Sequence, residues 1–190
     1  GFIVSSESTG TISVESDGEL HAYITELEGN RTLAQFYDAE REVYYVTYTS
    51  NQGEQAFLAE ILLSTKEIVY VTELSATIPE GYSGRFDPVG ITRNADIIYV
   101  VDSFGGWVWA VNEDRQVEVL YESSEWLGRI DQDGVTGIAW FNNTLLLSNA
   151  NFNGLVVLDL YYLTGSLLKL DVIHPRAVAV KEETIYVLDD

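Results

Sequence analysis

The residues whose spacing could do chemistry are concentrated between Asp131 and Gly154. In Asn149-Ala150-Asn151-Phe152-Asn153-Gly154, three side-chain oxygens alternate with apolar residues before a glycine, the spacing with which a calcium loop begins. Such a loop wants carboxylates and a bidentate Glu at its twelfth position. Here the three are neutral amides, Val157 is ninth and Leu160 twelfth. Asp131-Gln132-Asp133-Gly134 starts more acidically but has Asn142 at the twelfth position. Asn149, Asn151, Asn153, Asp131 and Asp133 are therefore the candidate calcium ligands, set against a simpler reading in which Asn and Gly bend the chain between strands. The sequence calls for no other cofactor.

Catalytic constellations are absent from the sequence pattern. The two histidines stand alone: His21 alternates with apolar neighbours as a strand residue would, and His174 precedes Pro175 in a turn. There is no Gly-x-Ser-x-Gly elbow, phosphate loop or His-Glu-x-x-His helix. Acidic pairs such as Glu182-Glu183 read as a surface turn in a chain this acidic. No catalytic residue is assigned. Two sequons, Asn30-Arg31-Thr32 and Asn142-Asn143-Thr144, fall in expected turns and make Asn30 and Asn142 candidate glycan acceptors, which would place the protein in an extracellular or cell-surface setting.

Composition bounds the rest. The chain has 190 residues, 46% of them hydrophobic, enough to bury a core. Thirty acidic against ten basic residues give a net charge of −20, which opposes nucleic-acid phosphates and excludes them as partners. No apolar run reaches the ~20 residues of a membrane helix, so no membrane insertion is expected. Gly1 to Gly10 has neither the basic start nor the long apolar core of a signal peptide. There is no cysteine, hence no disulfide scaffold or thiol chemistry.

These residues must be positioned by a repeat. Apolar runs ending in a small or polar residue recur at Ile3 to Ser6, Tyr44 to Tyr48, Ile98 to Asp102, Leu145 to Asn149 and Ile185 to Asp189, at intervals of 42, 54, 47 and 40 residues. A turn glycine follows the first four, at Gly10, Gly53, Gly106 and Gly154. The clearest copy reads as four short strands: Gly90 to Thr92, Ile97 to Asp102, Trp107 to Val111 and Gln116 to Tyr121. The next reads Gly137 to Trp140, Thr144 to Asn149, Leu155 to Leu160 and Ser166 to Ile173. Four-stranded units at this period predict an all-β fold, a β-propeller of four-stranded antiparallel blades. Trp107 and Trp109, two apart on one strand face, are expected to pack between blades rather than to stack on sugars.

The runs Pro88-Val89-Gly90-Ile91-Thr92, Val135-Thr136-Gly137-Ile138-Ala139 and Pro175-Arg176-Ala177-Val178-Ala179, each with its following apolar run, resemble the six-bladed propellers of the gluconolactonase, senescence-marker-protein and NHL-repeat group. The resemblance is best over residues 88–190. It implies an axial divalent cation in the enzymes of that group, some ligands standing just before the Gly-Ile-Ala start of a blade. Here Val89, Thr136 and Arg176 occupy those places; Val and Arg cannot bind calcium through their side chains, and Thr is a poor ligand. A metal-dependent lactonase or esterase would need ligands elsewhere, in blades not present in this stretch.

The expected blades are 1–29 (partial), 30–83, 84–134, 135–172 and 173–190 (partial), about four blades' worth of a six-bladed ring. Open terminal strands invite edge pairing between copies. The function expected is a non-enzymatic extracellular or cell-surface propeller glycoprotein, a binding, adhesion or filament-forming module with a protein or glycan partner or copies of itself. A lactonase of the gluconolactonase type is the alternative.

Overall fold

The computed structural model describes residues 3–5, 12–16, 19–24, 27, 30–123, 126–128 and 134–189. The chain divides into two compact units, Gly1–Pro88 and Val89–Asp190. Among the described residues all regular structure is β apart from three short 3-10 turns.

In the first unit, β1 (Ile3–Ser5), β2 (Ile12–Ser16) and β3 (Glu19–Ile24) form an antiparallel sheet. β4 (Arg31–Asp38), β5 (Val43–Ser50), β6 (Gln55–Leu62) and β7 (Glu67–Glu73) form a four-stranded meander. β5 is a central strand, and its residues 44–49 are all buried, so both faces must be apolar or satisfied; Tyr-Tyr-Val-Thr-Tyr-Thr supplies that. Of its buried threonines, Thr47 accepts from Ala34 N at 2.9 Å and donates to the carbonyl of Pro88, the unit's last residue, at 2.6 Å. Tyr44, Val46, Ala59 and Ile61 pack with Ile12 and Leu27 into one core. At the edge, β7 alternates differently: Val69, Tyr70 and Val71 are exposed, and Thr72 is buried.

The second unit holds β8 (Pro88–Asn94, from its second residue on), β9 (Ile97–Asp102), β10 (Trp107–Val111) and β11 (Val117–Glu122) in one meander. A second meander is β12 (Val135–Phe141), β13 (Thr144–Asn149), β14 (Gly154–Asp159) and β15 (Thr164–Lys169). β16 (Pro175–Lys181) pairs with β17 (Thr184–Asp189). Face-to-face packing is layered. Tyr99, Val101 and Val108 of one sheet meet Ile138, Leu145 and Leu147 of the next, whose other face, Ala139, Leu146 and Leu155, meets Val178. Each buried aliphatic side chain contributes about 1.5–3 kcal/mol of transfer free energy, so the stacked faces supply the unit's cohesion.

In two of the repeats the polar residue that closes the apolar run holds the following turn. Asp102 Oδ2 accepts from Gly105 N at 2.6 Å, and Asn149 Oδ1 from Asn151 N at 2.9 Å. Both side chains are fully buried. Asp189 accepts from Ile173 N at 3.0 Å and His174 N at 2.8 Å. The repeat pattern is thus one of strand plus cap. Gly106, at φ +75°, needs the left-handed region that the turn imposes, and a Cβ there would overlap the Ser123 carbonyl.

β15 begins two residues before the expected Ser166 and ends at Lys169 rather than Ile173. Leu163 takes φ +52° and closes the hairpin, so pairing resumes at once with Thr164 opposite Asp159. At the far end Leu170 N still donates to Asn153 O at 3.3 Å, and residues 171–174 leave the strand before Pro175.

Candidate functional site

The sequence candidates of the Asn loop serve the turn. Asn149 Nδ2 donates to Trp126 O at 2.6 Å, and its Oδ1 caps the short 3-10 turn Ala150–Phe152. Asn151 Nδ2 donates to Gly128 O at 3.2 Å. Asn153 sits left-handed at φ 52°, and with its amide turned to the orientation that satisfies both its oxygen and its nitrogen, the nitrogen donates to Ala150 O at 3.2 Å and Ile173 O at 2.7 Å. Three amides are spent on backbone carbonyls in three different places. Asp131 and Asp133 lie outside the described residues. Among the described residues no group of three or more His, Cys, Asp or Glu is gathered in metal-holding range.

Two of the three positions just before the expected blade starts are bulge residues. Val135 pairs with Asn149 and Gly137 with Ser148; likewise Pro175 with Asp189 and Ala177 with Leu188. Thr136 and Arg176 are therefore the extra residues, which a bulge aims away from the ladder. Thr136 Oγ1 uses that freedom to donate to Pro175 O at 2.7 Å, a latch from one sheet to the next. Arg176 is exposed and Val89 half-buried.

Trp107 and Trp109 are buried, the latter completely. His21 lies in β3, and His174 precedes β16 in an irregular segment. Asn142 and Asn143, at φ 46° and 61°, make the two-residue turn between β12 and β13, and both are exposed. Asn30 is half-buried just before β4, with the hydroxyl residue of its sequon, Thr32, almost fully buried.

The arrangement with binding geometry is one the sequence reading missed. In the first unit, the segment from the 3-10 turn Ser75–Thr77 to Phe86 folds back over the entry to β6 and the end of β7 and leaves a cleft of about 450 Å³. Glu54, Glu73 and Glu80 bring three carboxylates to it; Ile78, Pro79, Tyr82 and Phe86 supply an apolar wall. That wall is built deliberately. Phe86 N donates to Gly53 O at 2.7 Å, the Tyr82 and Phe86 rings sit 5.2 Å apart, and Tyr82 OH donates to Arg85 O at 2.9 Å. Gly84 leaves room for the Tyr82 phenol, which a Cβ there would have to displace.

Polar groups in the cleft are oriented too. Ser75 Oγ donates to Glu73 Oε1 at 3.0 Å while accepting from Ala56 N at 3.2 Å, and Gln55 Nε2 reaches Glu73 Oε1 at 3.5 Å. Donors on the wall are thus turned onto Glu73 and onto the Arg85 backbone, leaving carboxylate oxygens as the cleft's acceptors. Chemically this suits a cation or a hydrogen-bond donor carried on an apolar or aromatic stem.

No family model and no curated relative matches the sequence. Solved structures do match. The chain is similar to one in a crystal structure of the nidogen/laminin complex, at 14% identity and TM-score 0.61, covering 90% of this chain and 63% of that one. It is similar to the Cps50 (Swd1) β-propeller domain of Myceliophteria thermophila, at 13% and 0.58, covering 90% and 56%. A luciferin-regenerating enzyme matches at 12% and 0.61, covering 99% and 69%. The chain thus spans about three-fifths of the length of the first two. Together with the four-stranded antiparallel sheets, these likenesses establish a β-propeller-type fold. At such identities they speak for the fold alone.

Proposed function

We propose that this chain is a non-catalytic binding propeller of an extracellular or cell-surface setting, and that the cleft of the first unit is where it takes its partner. The carrying observation is the cleft itself: three carboxylates against a braced aromatic wall, with the hydroxyls of Ser75 and Tyr82 turned onto Glu73 and a backbone carbonyl. A protein partner suits it best, presenting Arg, Lys or Tyr. The nidogen/laminin likeness, a propeller fold in a protein complex, supports that class of role without naming a partner. Exposed Asn142 is the glycan acceptor of the same proposal, with Asn30 the less accessible one. The division into blades at 1–29, 30–83, 84–134, 135–172 and 173–190, and membership of a six-bladed ring, belong to it as well. Assembly of copies is part of the reading.

A gluconolactonase-type activity is the weaker reading, because Thr136 is committed to its latch and Val89 and Arg176 offer no ligand oxygen. The test is an amide-resolved NMR titration with N-acetyl-argininamide and N-acetyl-tyrosinamide, alongside a lactone-hydrolysis screen. Saturable shifts at Ser75, Gly81 and Gly84 without lactone turnover are expected. Silent cleft amides would remove the site, and turnover would favour the hydrolase.

A further inference from the structure

Three hairpins in the described residues join the third and fourth strands of a four-stranded sheet, and they form an internal comparison. β6 to β7 turns through Leu63-Ser64-Thr65-Lys66, β10 to β11 through Asn112-Glu113-Asp114-Arg115-Gln116, and β14 to β15 through Leu160-Tyr161-Tyr162-Leu163. Each ends its bend on a left-handed residue: Lys66 at φ 64°, Arg115 at 60°, Leu163 at 52°. The same job is therefore done twice with polar tips. In the third hairpin the tip is Tyr-Tyr-Leu, at 77%, 71% and 42% exposure. Folding does not ask for this, since burial gains little there and a left-handed Leu costs about 1–2 kcal/mol.

The tip is also held firmly. Asp159 Oδ1 accepts from Tyr161 N at 2.8 Å and Tyr162 N at 2.9 Å, and the two rings pack edge to face at 4.7 Å. Leu160 N donates to Asn143 O at 3.1 Å, tying the tip to the neighbouring turn. Two large, rigid, amphipathic side chains on a pre-formed turn are what an interface anchor needs, because little entropy is lost when they are bound.

Resting on the reading of the cleft as a binding site, we infer that the partner is a second copy of this chain, whose Tyr161-Tyr162 tip enters the cleft. The two features complement each other. One is convex and neutral and carries two phenol donors; the other is concave, apolar on one wall and rich in carboxylate acceptors, to which an O–H donates in a short, charge-assisted bond. Neutrality of the tip matters, because each copy carries a net charge of −20 and two acidic patches would repel. A tip-to-cleft contact is head-to-tail: it uses different surfaces on the two copies and can propagate.

The experiment is light scattering on the full chain over a wide concentration range, with two complementary variants. Tyr161→Ser with Tyr162→Ser removes the tip, and Ser83→Trp fills the cleft; Glu54→Ala with Glu80→Ala is a second cleft variant that removes acceptors without adding bulk. The wild type is expected to gain mass with concentration, more at high salt as charge repulsion is screened. Each variant alone is expected to self-associate at least roughly tenfold more weakly, while an equimolar mixture of a tip variant with a cleft variant forms a one-to-one heterodimer. A wild type that stays monomeric, a tip variant that still assembles, or a mixture that stays monomeric would each overturn the inference. Failure here with N-acetyl-tyrosinamide still shifting the cleft amides rejects only the second copy as partner. Silent cleft amides reject the site as well.

Discussion

Replacing Asn149 with Ala tests whether the Asn loop is a turn or a metal site. The substitution removes the acceptor that caps Ala150–Phe152 and the donor that satisfies Trp126 O, in a side chain with no solvent exposure. Loss of a cap costs about 0.5–2 kcal/mol, and a deprived buried partner about 1–3 kcal/mol. Because both losses fall in one small turn they overlap, and about 2–4 kcal/mol is expected in the unit Val89–Asp190. For a protein of this length that is a fall of roughly 4–16 °C in Tm. Circular dichroism melts in EDTA and in millimolar calcium would measure it. The fall should be the same in both. A shift below roughly 1 kcal/mol would refute the capping argument, and a calcium-stabilised wild type matched by an indifferent variant would restore Asn149 as a ligand.

Other outcomes follow from the packing and the charges. Gly90→Ala places a Cβ 2.8 Å from Val101 Cγ1 and 2.9 Å from Ile138 Cγ2, so urea unfolding should show a loss of about 1–3 kcal/mol. Burial pushes the phenols of Tyr44, Tyr48 and Tyr99 above their usual value of 10.0. The unfolded chain therefore loses its phenol protons first. The stability these groups carry is complete below pH about 10 and lost as pH rises through their folded values, so an alkaline denaturation series should show a steepening loss above pH about 10 that Tyr44→Phe reduces. Expression in a glycosylating host should modify Asn142 before Asn30, read by peptide mass spectrometry; a glycan on Asn30 alone would contradict the exposure argument.

Much of the fold was legible because strand and cap repeat together. Ile98 to Asp102 and Leu145 to Asn149 announce a buried strand and the polar group that holds the next turn, and both do so in the structure. Strand ends were less legible at β15, since nothing in Leu160 to Leu163 signals that Leu will take the left-handed position. The aromatic tip was hidden for a different reason: Tyr161 and Tyr162 fall between the strands expected at Leu155 to Leu160 and Ser166 to Ile173, but nothing in the sequence tells that these rings stay exposed rather than fold onto the sheet. The cleft was illegible because Glu54, Glu73 and Glu80 are far apart in sequence and indistinguishable from the other acids of a chain with thirty. Its one local sign was the Pro79, Gly81 and Gly84 punctuation, which marks a loop without saying what the loop encloses.

The claim that matters most is that the cleft of the first unit binds a donor-bearing side chain through its carboxylates. Titrating N-acetyl-argininamide into the wild type and into the double variant Glu73→Gln, Glu80→Gln, read by the amides of Gly81 and Gly84, tests it directly. Two partly exposed charge pairs are worth about 0.3–1 kcal/mol each, so affinity should fall roughly three- to thirtyfold in the variant. Equal affinity in both proteins, or shifts that bypass these amides, would contradict the account.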